Sequence, residues 1–294
     1  MDSRGGRGEL VTTPNLFIVG PPRSGTTSLI EWLAEHPQIA RPELKEPMFH
    51  AIDLATPHRV TDRDAYLEMY RDLGPAAFYV DATPWYLYSS MAAESIKAMA
   101  PDAHVIVHLR HPVQVLSSLH ARHLIVGLEP EPDIEQAVFG GPQQHDATEF
   151  RRCLDYLAVG RFGEQAQRFT SRFPKERVHF ISTRDMARRP REVHVELLGA
   201  LGLEPLPLAE YERYNEAQTV RSRAWSWATA KVAGSRTSSR IRRALAVRMA
   251  LLAATPGRDT LSPATAQRIT KELADDIVLL AELSGRDLSD WLGT

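Results

Sequence analysis

Leu16-Phe17-Ile18-Val19-Gly20-Pro21-Pro22-Arg23-Ser24-Gly25-Thr26-Thr27-Ser28 carries the densest structural signal in this 294-residue chain. Four apolar residues ending at a glycine predict a short strand buried on both faces, as in a parallel sheet. Beyond it, Thr26 to Glu35 reads as a helix with Leu29, Ile30 and Leu33 on one face, ended by His36-Pro37. A glycine-bearing loop between a buried strand and a helix N-terminus lets backbone N–H groups converge on an anion.

Gly20 and Gly25 have the spacing of a Walker A loop, but Thr26 stands where a nucleotide triphosphatase has Lys. That Lys reaches the β- and γ-phosphates, so its absence argues against triphosphate hydrolysis. Arg23 supplies the cation of the loop instead, flanked by the hydroxyls of Ser24, Thr26, Thr27 and Ser28. An NTPase- or kinase-like nucleotide-binding protein remains the alternative, because Phe78-Tyr79-Val80-Asp81 reads as a strand ending in a Walker B-type Asp.

The same alternation continues along the chain. Strands are predicted at Phe78 to Val80, His104 to Leu109 and Arg177 to Ser182, and Thr83-Pro84 is a turn. Helices are predicted at Ala92 to Ala100, at Val113 to His123 behind Pro112, over one long span from Phe150 to Phe173, and from Ser182 to Leu201. The expected fold is α/β: a P-loop-type parallel sheet flanked by helices in three layers, with a helical C-terminal part. Residues 1–13 read as a disordered lead-in and 14–294 as one domain. Gly127 to His145, with Pro130, Pro132, Gly140, Gly141 and Pro142, reads as a loop or mobile insertion.

Composition narrows the function classes. Thirty-five Lys and Arg against 37 Asp and Glu leave a net charge of -2, which gives no global reason to bind nucleic acid. The lone cysteine, Cys153, excludes an intramolecular disulfide framework and a cysteine-based zinc cluster. No apolar run approaches the roughly 18 residues of a membrane span, and the N-terminus has no signal-peptide core. A cytoplasmic location is expected. His120 and His123 share a helix face, yet no carboxylate or Cys nearby in sequence completes a ligand set, so no metal is expected.

A second cationic element lies at Arg110, at the end of the His104–Leu109 strand, with Ser118 eight positions on. Strand carboxyl ends face the ligand crevice in open α/β sheets, so Arg110 is placed toward the same crevice as Arg23. A guanidinium with a hydroxyl suits a phosphate monoester.

Together, Pro-Pro-Arg-Ser-Gly-Thr-Thr-Ser-Leu at 21–29 and Leu109-Arg110 with Pro112 and Ser118 resemble the two binding elements of sulfotransferases that use 3′-phosphoadenosine 5′-phosphosulfate (PAPS). The resemblance covers most of the chain. Lys45-Glu46-Pro47-Met48-Phe49 is similar to the K-E-P-x-F segment of the heparan-type and bacterial branch, and Asp81-Ala82-Thr83-Pro84 with Tyr86 to its T-P segment. Arg152 to Phe169 resembles its long helix. Asn215 to Arg223 resembles its late loop over the nucleotide, and residues 282–292 its closing tail.

The resemblance implies transfer of a sulfuryl group from PAPS to a hydroxyl or amine of a small-molecule, carbohydrate or glycolipid acceptor. It implies that Arg23, Ser24, Gly25, Thr26, Thr27 and Ser28 hold the 5′-phosphosulfate, and that Arg110 and Ser118 hold the 3′-phosphate. Arg221 and Arg223 would cover the nucleotide. Arg23 and Glu46 are the implied catalytic pair, with Glu46 as general base; His50 is the competing base and His36 a weaker one. Ala82 departs from the pattern, which often has Lys there, and Ser182-Thr183-Arg184-Asp185-Met186 replaces a Tyr-Glu-x-Leu segment. Residues 217–257 contain no Asp or Glu and many Arg, which marks a locally basic tract in a neutral chain.

Overall fold

The computed structural model describes residues 12–56, 58–140, 151–212, 218–220, 254–256 and 261–293. Its centre is a five-stranded, all-parallel sheet of β1 (Leu16–Val19), β2 (Ile39–Ala40), β3 (Phe78–Ala82), β4 (His104–Leu109) and β5 (Val178–Ser182), in the order β2-β3-β1-β4-β5. Central β1 pairs Leu16 with Val80 on one side and with His104 on the other. Every residue of β1 and β4 is buried.

The two-residue period of the strands divides the core into two layers. Phe17, Val19, Val105, Val107 and Leu109 face one layer, and Leu16, Ile18, Val80 and Ile106 face the other. The first is covered by α3 (Ala92–Met99), α4 (Pro112–Val126), α7 (Phe162–Thr170), α10 (Pro263–Glu272) and α11 (Ala274–Ser284). The second is covered by α1 (Thr26–Ala34) and α9 (Pro190–Ala200). Both faces being covered is what a parallel sheet requires, and it yields the expected three layers. A separate two-stranded ribbon, β6 (Gln218–Val220) with β7 (Ala254–Pro256), is antiparallel.

Several boundaries differ from the sequence reading. The single helix expected from Phe150 to Phe173 is a 3₁₀ turn at Arg151–Leu154, then α6 (Tyr156–Gly160), then α7. Asp155 caps α6 through Ala158 N, and the buried carboxylate of Asp276 accepts from Gly163 N and Glu164 N at 2.8 and 2.9 Å. Those side-chain acceptors start two helices where periodicity alone reads one. Pro190 likewise divides the stretch after β5 into α8 (Thr183–Arg188) and α9. Within the expected loop from Gly127, Asp133 caps a short helix, α5 (Ile134–Phe139). A further helix, α2 (Arg63–Arg71), was not read from the sequence. Asp62 caps it, and Tyr66, Leu67 and Tyr70 form its buried stripe. Among the described residues no helix is long and apolar enough to cross a membrane.

Candidate active site

The loop between β1 and α1 lies at the carboxyl ends of the parallel strands, where open α/β sheets hold their ligands. Gly20 brings this loop against β4: a Cβ there would lie 2.6 Å from the His108 carbonyl oxygen. Gly25 caps α1 with φ +97° and no side-chain hydrogen bond to the helix N–H groups. Arg23 also has positive φ, +68°. Such left-handed turns let successive N–H groups converge on one point. No acidic residue lies in the first turn of α1. Ser24 Oγ is buried and has no hydrogen-bond partner among the described residues.

An uncapped helix N-terminus, a buried hydroxyl lacking a partner and a neighbouring guanidinium form a donor set for an oxyanion. They fit the 5′-phosphosulfate of a PAPS-like donor.

Arg23 and the second element meet at this loop. Arg23 Nε donates to Ser118 Oγ at 3.2 Å, although the residues are 95 positions apart. Arg110 donates from Nη1 to the Arg23 carbonyl, and from Nε to Gln114 Oε1 at 3.4 Å. Ser118, two turns into α4, therefore lies beside the loop. Burial lowers the Arg23 pKa, the Arg122 charge lowers it further, and Glu46 opposes both. Guanidinium groups nonetheless stay protonated in proteins. Arg221 and Arg223 lie outside the described residues, as does most of the basic tract.

Glu46 lies in a loop with positive φ at Glu46 (+54°) and at Met48 (+59°), close enough to Arg23 for their charges to interact. Its side chain is exposed to solvent on one side, while protein packed around the rest partly desolvates the carboxyl. That desolvation raises the carboxyl pKa above the usual range; the Asp81 charge adds to the rise, and Lys45 and Arg23 oppose it. Lys45 does not point freely into the crevice. It pairs with Glu31 at 2.5 Å, and Glu31 also holds Arg41 at 2.6 Å.

The competing bases are placed elsewhere. His50 is fully buried, with Nδ1 2.8 Å from Ser95 Oγ and Nε2 3.4 Å from Tyr66 Oη, and burial pulls its pKa down to about 3. His36 is buried between the Glu204 carbonyl and Gln38 N. His120 and His123 bond the Glu131 carbonyl and the Tyr156 hydroxyl. Among the described residues, no group of three or more His, Cys, Asp or Glu could hold a metal ion.

The Asp81 carboxylate, which a Walker B reading would turn toward Mg²⁺, faces inward. It accepts from Thr83 Oγ1 at 2.7 Å, Tyr66 Oη at 2.7 Å and Tyr86 Oη at 2.8 Å. Burial pushes its pKa up to about 6 despite these three donors.

Two supporting residues were not read from the sequence. Thr183, just beyond β5, donates to the Ser24 carbonyl at 2.6 Å and lies 3.1 Å from that of Leu109, so it clips the loop to the sheet. His108 lies beneath the loop, 3.2 Å from Thr183 Oγ1, and burial holds it neutral with a pKa of about 3. The signal available for Thr183 was its place at a strand carboxyl end.

This geometry agrees with what the chain is related to. The sulfotransferase domain family model matches residues 13–271, and the chain belongs to that family. It is 23% identical to a bifunctional heparan sulfate N-deacetylase/N-sulfotransferase 1 of Caenorhabditis briggsae, over 70% of this chain and 24% of the relative. It is 25% identical to the human heparan sulfate glucosamine 3-O-sulfotransferase 3B1, over 70% of this chain and 50% of the relative. The chain thus aligns with half or less of the length of these curated relatives. Its fold is shared with a sulfotransferase of Alicyclobacillus acidocaldarius, with a TM-score of 0.73, 22% identity and coverage of 96% and 99% of the two chains.

Proposed function

We propose that this protein transfers a sulfuryl group from PAPS to a hydroxyl or amine of a small-molecule or carbohydrate acceptor. The observation that carries the reading is the junction of the two anion elements, Arg23 Nε to Ser118 Oγ at 3.2 Å with Arg110 on the Arg23 carbonyl. It brings the loop read as a phosphosulfate cradle into contact with the element read as a phosphate clamp, which supports one continuous nucleotide site. Thr26 at the Walker Lys position and the inward-facing, hydroxyl-saturated Asp81 weigh against the NTPase- or kinase-like alternative.

In this reading the α1 N-terminus, Ser24, Thr26, Thr27 and Ser28 hold the 5′-phosphosulfate, with Gly25 providing the turn. Arg110 and Ser118 take the 3′-phosphate, and Arg221 and Arg223 close over the nucleotide. Glu46 removes the acceptor proton as the acceptor oxygen or nitrogen attacks sulfur in line. The bond from sulfur to the 5′-phosphate oxygen breaks, and Arg23 meets the charge that grows on that oxygen. The products are the sulfated acceptor and adenosine 3′,5′-bisphosphate. The raised Glu46 pKa suits a base working near neutral pH, and no step calls on a metal.

The sugar sulfotransferase names of the curated relatives support a carbohydrate hydroxyl as the first acceptor class to try. Residues 14–294 are read as one catalytic unit acting in the cytoplasm, with no nucleic-acid partner. The test is radiolabelled PAPS with a panel of oligosaccharides, phenols and amines. Glu46→Gln should lose about 10²- to 10⁴-fold in turnover while keeping its affinity for adenosine 3′,5′-bisphosphate. Full transfer by Glu46→Gln would remove Glu46 as base; a requirement for ATP with Mg²⁺ would remove the sulfotransferase reading.

A further inference from the structure

The loop that carries Glu46 is strained and cannot hold itself. Non-glycine residues at positive φ cost on the order of 1 to 3 kcal/mol each, and Glu46 and Met48 are two within three residues. The surroundings must supply the restraint: Val60 N donates to the Pro47 carbonyl at 2.9 Å, and the side-chain contacts on the C-terminal side converge on one carboxylate. Phe49 stacks on the Tyr66 ring, with centroids 4.2 Å apart and planes 6° apart. The backbone N–H of His50 donates to the Tyr86 hydroxyl at 3.3 Å. Tyr66 and Tyr86 both donate to the same oxygen of Asp81, at 2.7 and 2.8 Å. Spending its proton on Asp81 leaves the Tyr86 oxygen with lone pairs for the His50 N–H. A third donor, Thr83, holds the other Asp81 oxygen at 2.7 Å. All four polar residues of this clamp are buried.

We propose that Asp81, acting through Tyr66 and Tyr86, is the positioning residue that sets the Glu46 carboxylate against the crevice. The proposal rests on the reading of Glu46 as the general base. Asp81 touches neither donor nor acceptor in this scheme. It holds two tyrosines, which hold the backbone and ring on the C-terminal side of Glu46, while Lys45 on Glu31 holds the N-terminal side. Its negative charge also reaches Glu46 and disfavours ionisation there, against the opposing charges of Lys45 and Arg23. Arg122 acts on Arg23, and the His50 imidazole, in contact with Tyr66, is neutral. Burial pushes the pKa values of Tyr66, Tyr70 and Tyr86 well above the usual phenol value, so all three stay protonated, and Tyr66 and Tyr86 can donate to Asp81.

The test is carbon-13 NMR of the Glu46 carboxyl in the full chain bound to adenosine 3′,5′-bisphosphate, titrated in wild type, Asp81→Asn and Tyr86→Phe. Hydrogen exchange at the His50 amide is followed in parallel. Asp81→Asn should titrate Glu46 at lower pH than wild type, with bisphosphate affinity unchanged within about twofold. Tyr86→Phe removes one hydroxyl and should speed His50 exchange about tenfold, the loss of one buried hydrogen bond, and move the Glu46 carboxyl resonance. A Glu46 carboxyl that keeps its titration and its resonance in both variants overturns the proposal. So does an equal loss of nucleotide binding in both, which would mark a structural role only. Should Asp81→Asn not fold, Tyr86→Phe decides alone. Glu46→Gln in the radiolabelled transfer assay separates the two ideas: retained transfer there removes the base, whereas loss of transfer beside an unmoved Glu46 in Asp81→Asn removes only the positioning.

Discussion

The two walls of the crevice treat polar atoms in opposite ways. On the β1–α1 side, Ser24 Oγ is buried without a partner among the described residues, and α1 has no side-chain cap. On the β3 side, Asp81 is buried with three hydroxyl donors, and His50 and Tyr86 are bound into the same cluster. An unmet buried donor costs about 1 to 3 kcal/mol unless something answers it, so the first wall is built for a ligand that brings its own charge. On the second wall both Asp81 oxygens are engaged by hydroxyls, and the Tyr66 and Tyr86 side chains in turn contact the strained loop.

The largest expected effect tests the second wall. Burial raises Asp81 from its ordinary 3.8 to about 6. A carboxyl raised in the folded state binds protons more tightly there than in the unfolded chain. Its contribution to stability is therefore complete below pH 3.8 and lost as pH rises through about 6. The shift is worth on the order of 3 kcal/mol. Urea melts should show wild type losing stability relative to Asp81→Asn by about that amount between acid and neutral pH. A pH-independent difference would mean that Asp81 is not held as a desolvated carboxylate.

The first wall should respond through the ligand. Arg110→Ala should weaken adenosine 3′,5′-bisphosphate by about 10- to 100-fold, the loss of a charge-assisted bond to phosphate, and leave adenosine 5′-phosphate nearly unchanged. Calorimetry with both nucleotides checks this; equal losses would take Arg110 out of the 3′-phosphate site. Gly25→Ala has room for its Cβ, whose nearest neighbour would be His108 Cε1 at 3.6 Å, but must keep φ at +97°. It should cost about 1 to 2 kcal/mol in thermal denaturation and weaken both nucleotides together. The smallest effect belongs to Thr183→Val, which removes the clip on the Ser24 carbonyl. A loss of about 1 kcal/mol in bisphosphate affinity is expected; a wild-type value would mean that the loop holds its shape without β5.

The walls also differed in how far sequence could see them. Arg23, Ser24, Gly25 and the α1 N-terminus are contiguous, and glycine spacing between an apolar run and a helix exposes them directly. The place of Arg110 at the end of β4, the clearest strand in the chain, was legible from the sequence, but its assignment to a phosphate came only with the family resemblance. Ser118 was placed by resemblance, and only packing brought it to 3.2 Å from Arg23. The second wall was nearly invisible. Tyr66 belongs to α2, which was not read at all, and Asp81 looked like the end of a Walker B strand. The break between α6 and α7 was hidden for a similar reason, because the capping carboxylate of Asp276 comes from more than 110 residues away.

By itself, then, the sequence determined the alternation of strands and helices, the burial of β1 on both faces, and the glycine-bearing loop with its arginine. Each of these depends on neighbours in the chain: apolar period, glycine conformation, helix start. Tertiary structure alone decided that Arg23 meets both Ser118 and Arg110, that His50 is buried while Glu46 is exposed, and that Asp81 turns inward toward two tyrosines. A side chain's partners across the sheet are set by register and packing between segments scores of residues apart. The protonation of Glu46, Asp81 and His50 follows from those partners and from burial, not from residue type.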